Sequence, residues 1–254
     1  MIRRLILVLL MFCCLGAVAQ ESSYILSVQS ASDGSQLFYA DEIDYIDFNE
    51  GYLTVHPKVG GQQSFIKADV QWVSFTADDH EAVDLGLSVK WATCNVGAKT
   101  PQDYGRLYAW GELATKSDYS ESNYKYYSQY QYDYIGTNIC GTRYDVARLL
   151  WGGKWRMPTR SEVSELTSRC TWTADEVEGV AGYRVTGPNG NSIFLPSAGY
   201  KTGTTRMEQG SGGYYWTGSL DRQTPSAAYN LNFRGYDDEW SACRAYGFSV
   251  RPVR

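Results

Sequence analysis

The sequence predicts an α+β fold in which short antiparallel strands outnumber the helices. Three observations support this class. Alternating apolar and polar residues repeat near the start of the chain, two short amphipathic helical patterns lie in its middle, and glycine-rich hairpin patterns follow them. Because strands and helices are grouped along the chain and do not alternate, a doubly wound parallel sheet is not predicted.

Residues 1–19 have the pattern of a secretory signal peptide. Arg3 and Arg4 precede an apolar run over residues 5–18, and the small residues Ala17 and Ala19 suit cleavage before residue 20. The run is shorter than the roughly 20 apolar residues of a membrane helix. We therefore expect an exported protein that resides in the periplasm, on the cell surface or outside the cell.

Charge and hydropathy argue against two classes of partner. The chain of 254 residues carries a net charge of −5, which becomes more negative when Arg3 and Arg4 are removed. Nucleic-acid binding requires clustered positive charge, so we predict no nucleic-acid partner. No segment after residue 19 has the length of an apolar membrane helix, so we predict no membrane span in the mature protein.

Residues 20–76 are predicted to form a small all-β domain built from an internal repeat. Residues 25–48 and 52–75 align without a gap, and each copy contains a strand, a glycine turn, a second strand, an acidic turn and a third strand. The identical pairs are Leu26/Leu53, Val28/Val55, Gly34/Gly61, Gln36/Gln63, Phe38/Phe65 and Phe48/Phe75. One copy cannot bury its apolar face alone, so we expect the two copies to pack together. A spacer or an interaction module is the expected role.

Residues 77–82, which overlap the polar stretch 76–81, are predicted to be a linker, and two short helices and a hairpin are predicted beyond it. The first helix covers residues 144–151. The second begins at Thr159, because Thr159 and Glu162 have the spacing of a capping box. Turn residues at 187–191 separate two β-prone runs, which predicts a hairpin.

Six sequence segments stand in order in the second part of the chain: VDLGLSVKWATCNVGA (83–98), YGRLYAWGE (104–112), WGGKWRMPTRSEVSEL (151–166), NGNSIFLPSAGY (189–200), GYYWTGS (213–219) and YGFSVRPVR (246–254). Together they resemble the Fibrobacter succinogenes major paralogous domain, a family of modules abundant in exported proteins of gut Bacteroidetes and related bacteria. The resemblance covers residues 83–254. It implies a C-type-lectin-like fold, distantly related to the formylglycine-generating enzymes, and no known reaction.

Four cysteines remain after residue 19. In an exported protein an even number of cysteines indicates disulfides, and four cysteines allow three pairings. The family resemblance implies a bond between Cys94 and Cys170, which occupy positions where cysteine is usual. It also implies that Cys140 and Cys243, which stand where a small residue is expected, pair with each other. The alternative is that one or both of these additional cysteines stay free.

The sequence predicts neither a catalytic site nor a metal site. The two histidines, His56 and His80, both precede the lectin-like region and are expected to be solvated. That region therefore lacks a histidine for a nucleophilic triad or a zinc site. The enzyme branch of the superfamily uses two nearby cysteines late in the chain, whereas Cys243 stands alone. We predict a protein without enzyme activity, metal or cofactor.

Two surfaces are candidates for ligand binding, and the first is an acidic cluster. Asp237, Asp238 and Glu239 stand beside Trp240. An acid pair next to an aromatic residue suits a glycosidase or a calcium-bound sugar site. The commoner explanation is a solvated turn.

The second candidate is residues 119–134, YSESNYKYYSQYQYDY, which we call the tyrosine-rich segment. Its tyrosines have no clean period, so neither a helix nor a strand with one buried face is predicted. Tyrosine offers a large, rigid and amphipathic contact at low entropic cost. The predicted ligand contacts are Tyr124, Tyr126, Tyr127, Tyr130 and Tyr132. The alternative is a flap whose rings pack on the lectin-like body, and the two are compatible if some rings anchor the segment while others face out.

These observations together predict a non-enzymatic binding or adhesion protein. Its ligand would be a glycan or a protein at or outside the bacterial cell envelope. The first alternative is a structural component of a cell-surface or envelope assembly. An enzyme related to the formylglycine-generating enzymes is the less favoured alternative.

Overall fold

The computed structural model describes residues 24–32, 34–39, 43–49, 51–77, 80–233 and 237–254. These residues form small antiparallel sheets and two short α-helices, which confirms the predicted β-rich α+β class. They fall in two compact units. The first holds the described residues up to 77 together with Trp151–Gly153, and the second holds His80–Leu150 and Lys154–Arg254. The predicted signal peptide lies outside the described residues.

The first unit contains two three-stranded sheets, each built from both sequence repeats. Its strands are β1 (Tyr24–Ser30), β2 (Gly34–Tyr39), β3 (Ile43–Asn49), β4 (Tyr52–Pro57), β5 (Gln63–Ile66) and β6 (Val70–Ala77). One sheet has the order β2-β1-β6 and the other has the order β3-β4-β5. The third strand of each repeat therefore leaves its own hairpin and pairs with the first strand of the other repeat.

The registers of these exchanged pairs correspond between the two sheets. Leu26 lies opposite Phe75. Its counterpart in the second repeat, Leu53, lies opposite Phe48. Because alternate residues of a strand face the same side, this register directs one apolar set inward. The buried set is Leu26, Val28, Ile46, Leu53, Val55 and Phe65. Each such side chain contributes about 1.5–3 kcal/mol on burial, so both repeats are needed to form the core.

Twelve strands and two helices follow among the described residues. They are β7 (Ala82–Val83), β8 (Trp91–Ala92), β9 (Tyr127–Ser128), β10 (Gln131–Tyr132), α1 (Val146–Trp151), α2 (Arg160–Arg169), β11 (Thr171–Val177), β12 (Val180–Thr186), β13 (Ser192–Pro196), β14 (Tyr200–Thr202), β15 (Thr205–Met207), β16 (Gly213–Leu220), β17 (Ala227–Phe233) and β18 (Asp237–Cys243). The sheets are β7-β8, β9-β10, β11-β12-β13, β14-β15 and β16-β17-β18.

Both helices begin at a side chain that caps the backbone. The buried carboxylate of Asp145 accepts hydrogen bonds from the N–H groups of Ala147 and Arg148, so α1 begins two residues later than predicted. Thr159 caps α2, and the predicted capping box with Glu162 is present. The hairpin predicted around residues 187–191 is confirmed as β12–β13.

One hydrophobic cluster of the second unit, which we call the α2 core, joins α2 to the sheets. Val163 and Leu166 are the buried residues of α2, and they contact apolar side chains of the strands. The other buried members of this cluster are Leu85, Trp91, Val185, Ile193, Leu195, Tyr215, Leu231, Phe233 and Val253. Strands and helix therefore bury one shared apolar interior, as an α+β domain requires.

The last residues of the chain are part of this interior. Val253 is fully buried and forms isolated bridges with both Trp91 and Arg156. The backbone N–H and C=O of Val253 bond to Arg156 at 2.9 and 3.0 Å. The backbone of Arg254 exchanges the same pair of bonds with Lys90. The C-terminal segment thus joins parts of the chain far apart in sequence.

Glu162 predicts a pH-dependent contribution to stability. It completes the cap of α2 and forms a bidentate ion pair with Arg156, with Nη1–Oε2 and Nη2–Oε1 distances of 2.8 and 2.5 Å. Burial acts to raise the pKa of Glu162, but the bonds from Arg156 and Thr159 outweigh burial and lower it. Because the folded-state pKa is lowered, this stabilisation is present above about 4.5 and is lost as the pH falls through the folded pKa.

We expect Glu162→Gln to lower the free energy of unfolding at pH 7 by about 1–3 kcal/mol. The deficit should shrink as the pH approaches 3, because acid removes the same charge from the original protein. Urea unfolding at both pH values measures the effect. Glu176→Gln, on an exposed strand position, is the matched control. An equal deficit at both pH values would contradict the assignment.

Candidate functional site

Two buried tyrosines anchor the tyrosine-rich segment. The hydroxyl of Tyr119 donates to the carbonyl of Leu107 at 2.5 Å, and that of Tyr124 donates to the carbonyl of Trp110 at 2.6 Å. Both rings are only 2 % exposed. Burial raises the pKa of Tyr124, so its hydroxyl remains a neutral donor. The ring and the hydroxyl of Tyr124 are both used within the protein, so Tyr124 anchors the segment, and its contact with a ligand stays a prediction.

Three further predicted tyrosines are half-buried around Tyr124. The rings of Tyr126 and Tyr132 lie 5.7 and 5.8 Å from that of Tyr124, between ring centroids. Tyr127 lies 5.0 Å from Tyr132. Aromatic pairs at these separations contribute about 0.5–1.5 kcal/mol beyond the area that they bury. The structure thus brings these four predicted residues together, with one buried and three at its margin.

Of the five predicted tyrosines, Tyr130 is the most exposed. It lies in the two-residue turn of the β9–β10 hairpin, where Ser128 pairs with Gln131. Both turn residues, Gln129 and Tyr130, have positive φ values of 49° and 63°. The side chain of Tyr130 is 93 % exposed. A bulky aromatic residue in this conformation is an outlier, because positive φ crowds its Cβ.

A buried arginine lies beneath the same segment. Arg244 is 1 % exposed, and its guanidinium lies 4.9 Å from the ring centroid of Trp110 and 5.3 Å from those of Tyr124 and Tyr132. Its Nε donates to the hydroxyl of Tyr124 at 3.1 Å. Its Nη1 donates to two backbone carbonyls, those of Asp133 and Pro225. The guanidinium is thus enclosed by aromatic rings and neutral acceptors.

Tyr132 connects this arginine to the surface. Its hydroxyl bonds to the carboxylate of Glu121, and it lies 3.3 Å from the Sγ of Cys243. Burial and these two partners raise the pKa of Tyr132, so the phenol remains protonated. Glu121 belongs to a single 3₁₀ turn, Glu121–Asn123. The half-buried ring of Tyr132 is therefore held over Arg244 by polar contacts at its rim.

Sequence reasoning missed Arg244 as a member of this site. It follows Cys243 at the end of β18, and no periodic pattern marks an arginine there as buried. The enclosing rings come from positions 110, 124 and 132, which are far from it in sequence. The surplus of tyrosines was the only available signal for a cation site, because aromatic faces attract guanidinium groups.

The acidic candidate cluster lies in a strand and not in a turn. The backbone of Asp237, Asp238 and Trp240 belongs to β18 and pairs with β17. The side chains of these residues lie outside the described part of the structure. The second surface predicted from sequence therefore stays a prediction for its ligand contacts.

The four cysteines are free thiols in the structure, unlike the two disulfides implied by the family resemblance. Each thiol lies in its own surroundings. The Sγ of Cys94 is 3.6 Å from the hydroxyl of Thr93, and Cys170 packs against the α2 core. Cys140 is packed against a glycine of β16, and burial raises its pKa to about 12. Cys243 contacts Tyr132.

The two histidines lie in different surroundings. His56 is half-buried and not solvated as expected: its Nε2 lies 2.9 Å from Asp47, and its ring stacks on Tyr45. His80 lies 6.4 Å from the ring of Trp155. Within the described ranges, His, Cys, Asp and Glu side chains form no group of three or more that could hold a metal ion. No helix of the described residues is long and apolar enough to cross a membrane.

The arrangement around Tyr130, Tyr132 and Arg244 combines an exposed aromatic ring, half-buried phenols and a covered cation. Such a combination can stack on a flat or ring-shaped ligand and attract negative charge. In comparisons with known proteins, no family model, no curated protein and no solved structure matched this chain.

Proposed function

We propose that this chain is an exported, non-enzymatic binding protein whose tyrosine-rich segment contacts a glycan or a protein at or outside the bacterial cell envelope. The observation that carries the proposal is the position of Tyr130. Its ring is 93 % exposed at a hairpin tip with positive φ. An aromatic residue at that position contributes almost nothing to packing, so contact with a ligand accounts for it best.

The conformation of the turn strengthens this argument. Two-residue turns with two positive φ values favour Asn-Gly or Gly-Gly, because glycine has no Cβ to crowd the backbone. A left-handed residue of another type costs roughly 1–2 kcal/mol. Gln129 and Tyr130 both bear such a cost at a fully solvated position. Strain of this kind is found where a side chain is displayed for function.

The anchors of the segment support the same conclusion. Tyr119 and Tyr124 fix its first part to the carbonyls of Leu107 and Trp110. A recognition loop binds more tightly when it is held in place before the ligand arrives, because less ordering entropy is lost. The segment therefore combines buried anchors with displayed rings.

We extend the proposal to a C-type-lectin-like fold for the second unit, on the basis of the family resemblance. Its support is that the resembling segments contact one another. The backbone of residues 246–254 bonds to Ala92 and Val96 in the first segment, to Tyr108 in the second, and to Trp216 in the fifth. These contacts are the ones expected if the six segments form one domain.

The test of the proposed surface is the substitution Tyr130→Gly. It should raise the free energy of unfolding by a few tenths to about 1 kcal/mol, because glycine relieves the left-handed strain. It should at the same time weaken ligand binding at least about tenfold if the ring is a main contact. Thermal unfolding measures the first effect. A glycan array and affinity capture from envelope extracts identify a ligand, whose affinity gives the second effect.

Gly51 also has a positive φ and is already glycine, so Gly51→Ala is the control for the effect of φ on stability. It should lower the free energy of unfolding, the opposite of the effect expected for Tyr130→Gly. A Tyr130→Gly protein that is more stable and binds every captured ligand unchanged would exclude Tyr130 as a contact.

The structural alternative rests on exposed apolar residues of the first unit. Tyr52 and Ile66 lie opposite each other on β4 and β5, and their side chains are 47 % and 51 % exposed. An assembly component would use such a pair as a contact with a neighbouring subunit. Sedimentation of the original protein and of the double variant Tyr52→Ser/Ile66→Ser tests this role. The role requires that the original protein self-associates and that the variant does not.

A further inference from the structure

Two arginines are buried among the described residues, Arg244 and Arg251, and they differ in how their guanidinium groups are satisfied. In Arg251, Nε bonds to Asn95, Nη1 bonds to the carbonyls of Ala92 and Thr93, and Nη2 bonds to the carbonyl of Phe194. In Arg244, the Nη2 atom is buried without a hydrogen-bond partner in the protein. Arg251 therefore has every nitrogen satisfied, whereas Arg244 keeps two N–H donors unused.

Arg244 is also a buried charge without a counter-ion among the described residues. Two acidic side chains of the same region, Glu112 and Glu121, have other partners. Glu112 binds the amino group of Lys116 at 2.7 Å and the N–H of Lys125, and Glu121 binds Tyr132. Leaving a cation buried and unpaired is costly, and native proteins keep such groups where they have a role. The unused donors of Arg244 are suited to an acceptor that carries negative charge.

The cover over Arg244 includes a two-stranded sheet, the β9–β10 hairpin. The β9–β10 hairpin has only two paired positions, Tyr127 with Tyr132 and Ser128 with Gln131. Tyr132 closes over the guanidinium at 5.3 Å, and its bonds to Glu121 and Cys243 hold it there. So short a hairpin, exposed at its turn, opens at little free-energy cost compared with the core strands.

We propose that Arg244 donates from Nη2 to one carboxylate oxygen of an acidic sugar residue when the β9–β10 hairpin moves aside. This inference rests on the proposed function and names the class of its ligand. The carboxylate supplies the negative charge, and the rings of Tyr127, Tyr130 and Tyr132 supply faces on which a sugar ring stacks. A single oxygen fits, because Nε keeps the hydroxyl of Tyr124 and Nη1 keeps the carbonyl of Pro225 as acceptors, and neither residue belongs to the hairpin.

The choice of an acidic sugar over an acidic peptide follows from the surroundings. An extended peptide would gain most from backbone pairing with a sheet edge. The rings around Arg244 present flat, amphipathic faces instead, and such faces are matched by the apolar face of a sugar ring. A buried cation, the phenols that enclose it and an exposed aromatic ring together match a uronate in the terminal position of a glycan.

The test uses the whole chain with three probes: an oligogalacturonate, a neutral galactan of the same length and a glutamate oligomer. Calorimetry should detect binding of the oligogalacturonate at least about tenfold tighter than the galactan, because a charge-assisted bond is absent from the galactan. Hydrogen exchange of the amides in residues 127–133 should change on binding. The glutamate oligomer should bind weakly, and equal binding of it would overturn the choice of a sugar.

Three variants separate the inference from a general effect of charge. Arg244→Gln should abolish the preference for the oligogalacturonate. Tyr132→Phe keeps the ring but removes its bonds to Glu121 and Cys243, so amide exchange in the hairpin should become faster in the free protein. Arg184→Gln removes an exposed cation elsewhere and should change neither result. Tyr52→Phe, in the first unit, is the matched control for loss of a hydroxyl.

If Arg244→Gln fails to fold, the original protein still decides the matter, because the guanidinium protons of Arg244 can be followed by NMR. A shift of its Nη2 signals with oligogalacturonate and not with galactan is expected. No preference for the charged probe, or a preference that survives Arg244→Gln, overturns the inference. If the inference is overturned in this way, weaker binding of a neutral glycan to the Tyr130→Gly variant would still support the proposed function.

Discussion

Replacing Tyr124 by serine is expected to lower the free energy of unfolding of the second unit by about 3–5 kcal/mol, the usual cost of truncating a buried aromatic residue. The ring is 2 % exposed within a cluster that includes Leu107, Ala109 and Tyr119. Its hydroxyl also donates to the carbonyl of Trp110 and accepts from Nε of Arg244. The substitution would therefore remove one hydrogen bond from each of these two partners. Urea unfolding followed by tryptophan fluorescence measures the loss.

Tyr130→Ser is the control for Tyr124→Ser, because it makes the same change in the same segment. We expect it to alter stability by about 0.5 kcal/mol or less, as exposed substitutions usually do. Tyr124→Phe separates the hydroxyl from the ring and should cost about 1–3 kcal/mol through the unpaired carbonyl and guanidinium. Equal losses for the two serine variants would mean that the segment is a packed flap throughout.

Removing one repeat is expected to turn the first unit into a dimer. Deletion of residues 50–76 leaves β1, β2 and β3, in which β1 has lost β6 and β3 has lost β4. In the complete chain, Phe48 of β3 lies opposite Leu53. Phe75 of β6 lies opposite Leu26 at the corresponding position of the other sheet. Two shortened chains can therefore exchange their third strands and restore both sheets.

Analytical ultracentrifugation measures this outcome, and hydrogen exchange over residues 24–49 reports whether the strands form. We expect protected amides in the dimer and none in the dilute monomer, because a single copy cannot bury its apolar face. Val28→Asp in the shortened chain should abolish both the dimer and the protection, since Val28 is fully buried. A protected monomer would show that one repeat folds alone, against the exchange seen between the sheets.

The elements that sequence predicted well are those with local signals. The capping box at Thr159 and the turn at residues 187–191 each depend on a few neighbouring residues, and both are present. The exchange of third strands could not be predicted, because β3 has the same alternation whether it pairs with β2 or with β4. Local pattern specifies which face of a strand is buried, whereas it does not specify its neighbour.

For the candidate site, the sequence predicted the segment that forms it and did not predict which of its side chains are buried. Tyr124 and Tyr130 stand in similar polar surroundings in the sequence, yet one is buried and the other is almost fully exposed. The difference arises from a long-range contact, between the hydroxyl of Tyr124 and Arg244, and from a turn with positive φ at Tyr130. Neither has a periodic signature, because the segment is held by hydrogen bonds between side chains and carbonyls.

The position of Val253 has a consequence for the synthesis of this protein. Strands β1 to β6 can pair as soon as residue 77 has emerged from the ribosome, whereas the core around Trp91 and Arg156 stays open until residue 253 has emerged. At about 5–20 residues per second, that delay is of the order of ten seconds or more. During it, the apolar strands of the second unit are available to chaperones, and a chain that stops before residue 250 would be left in that open state.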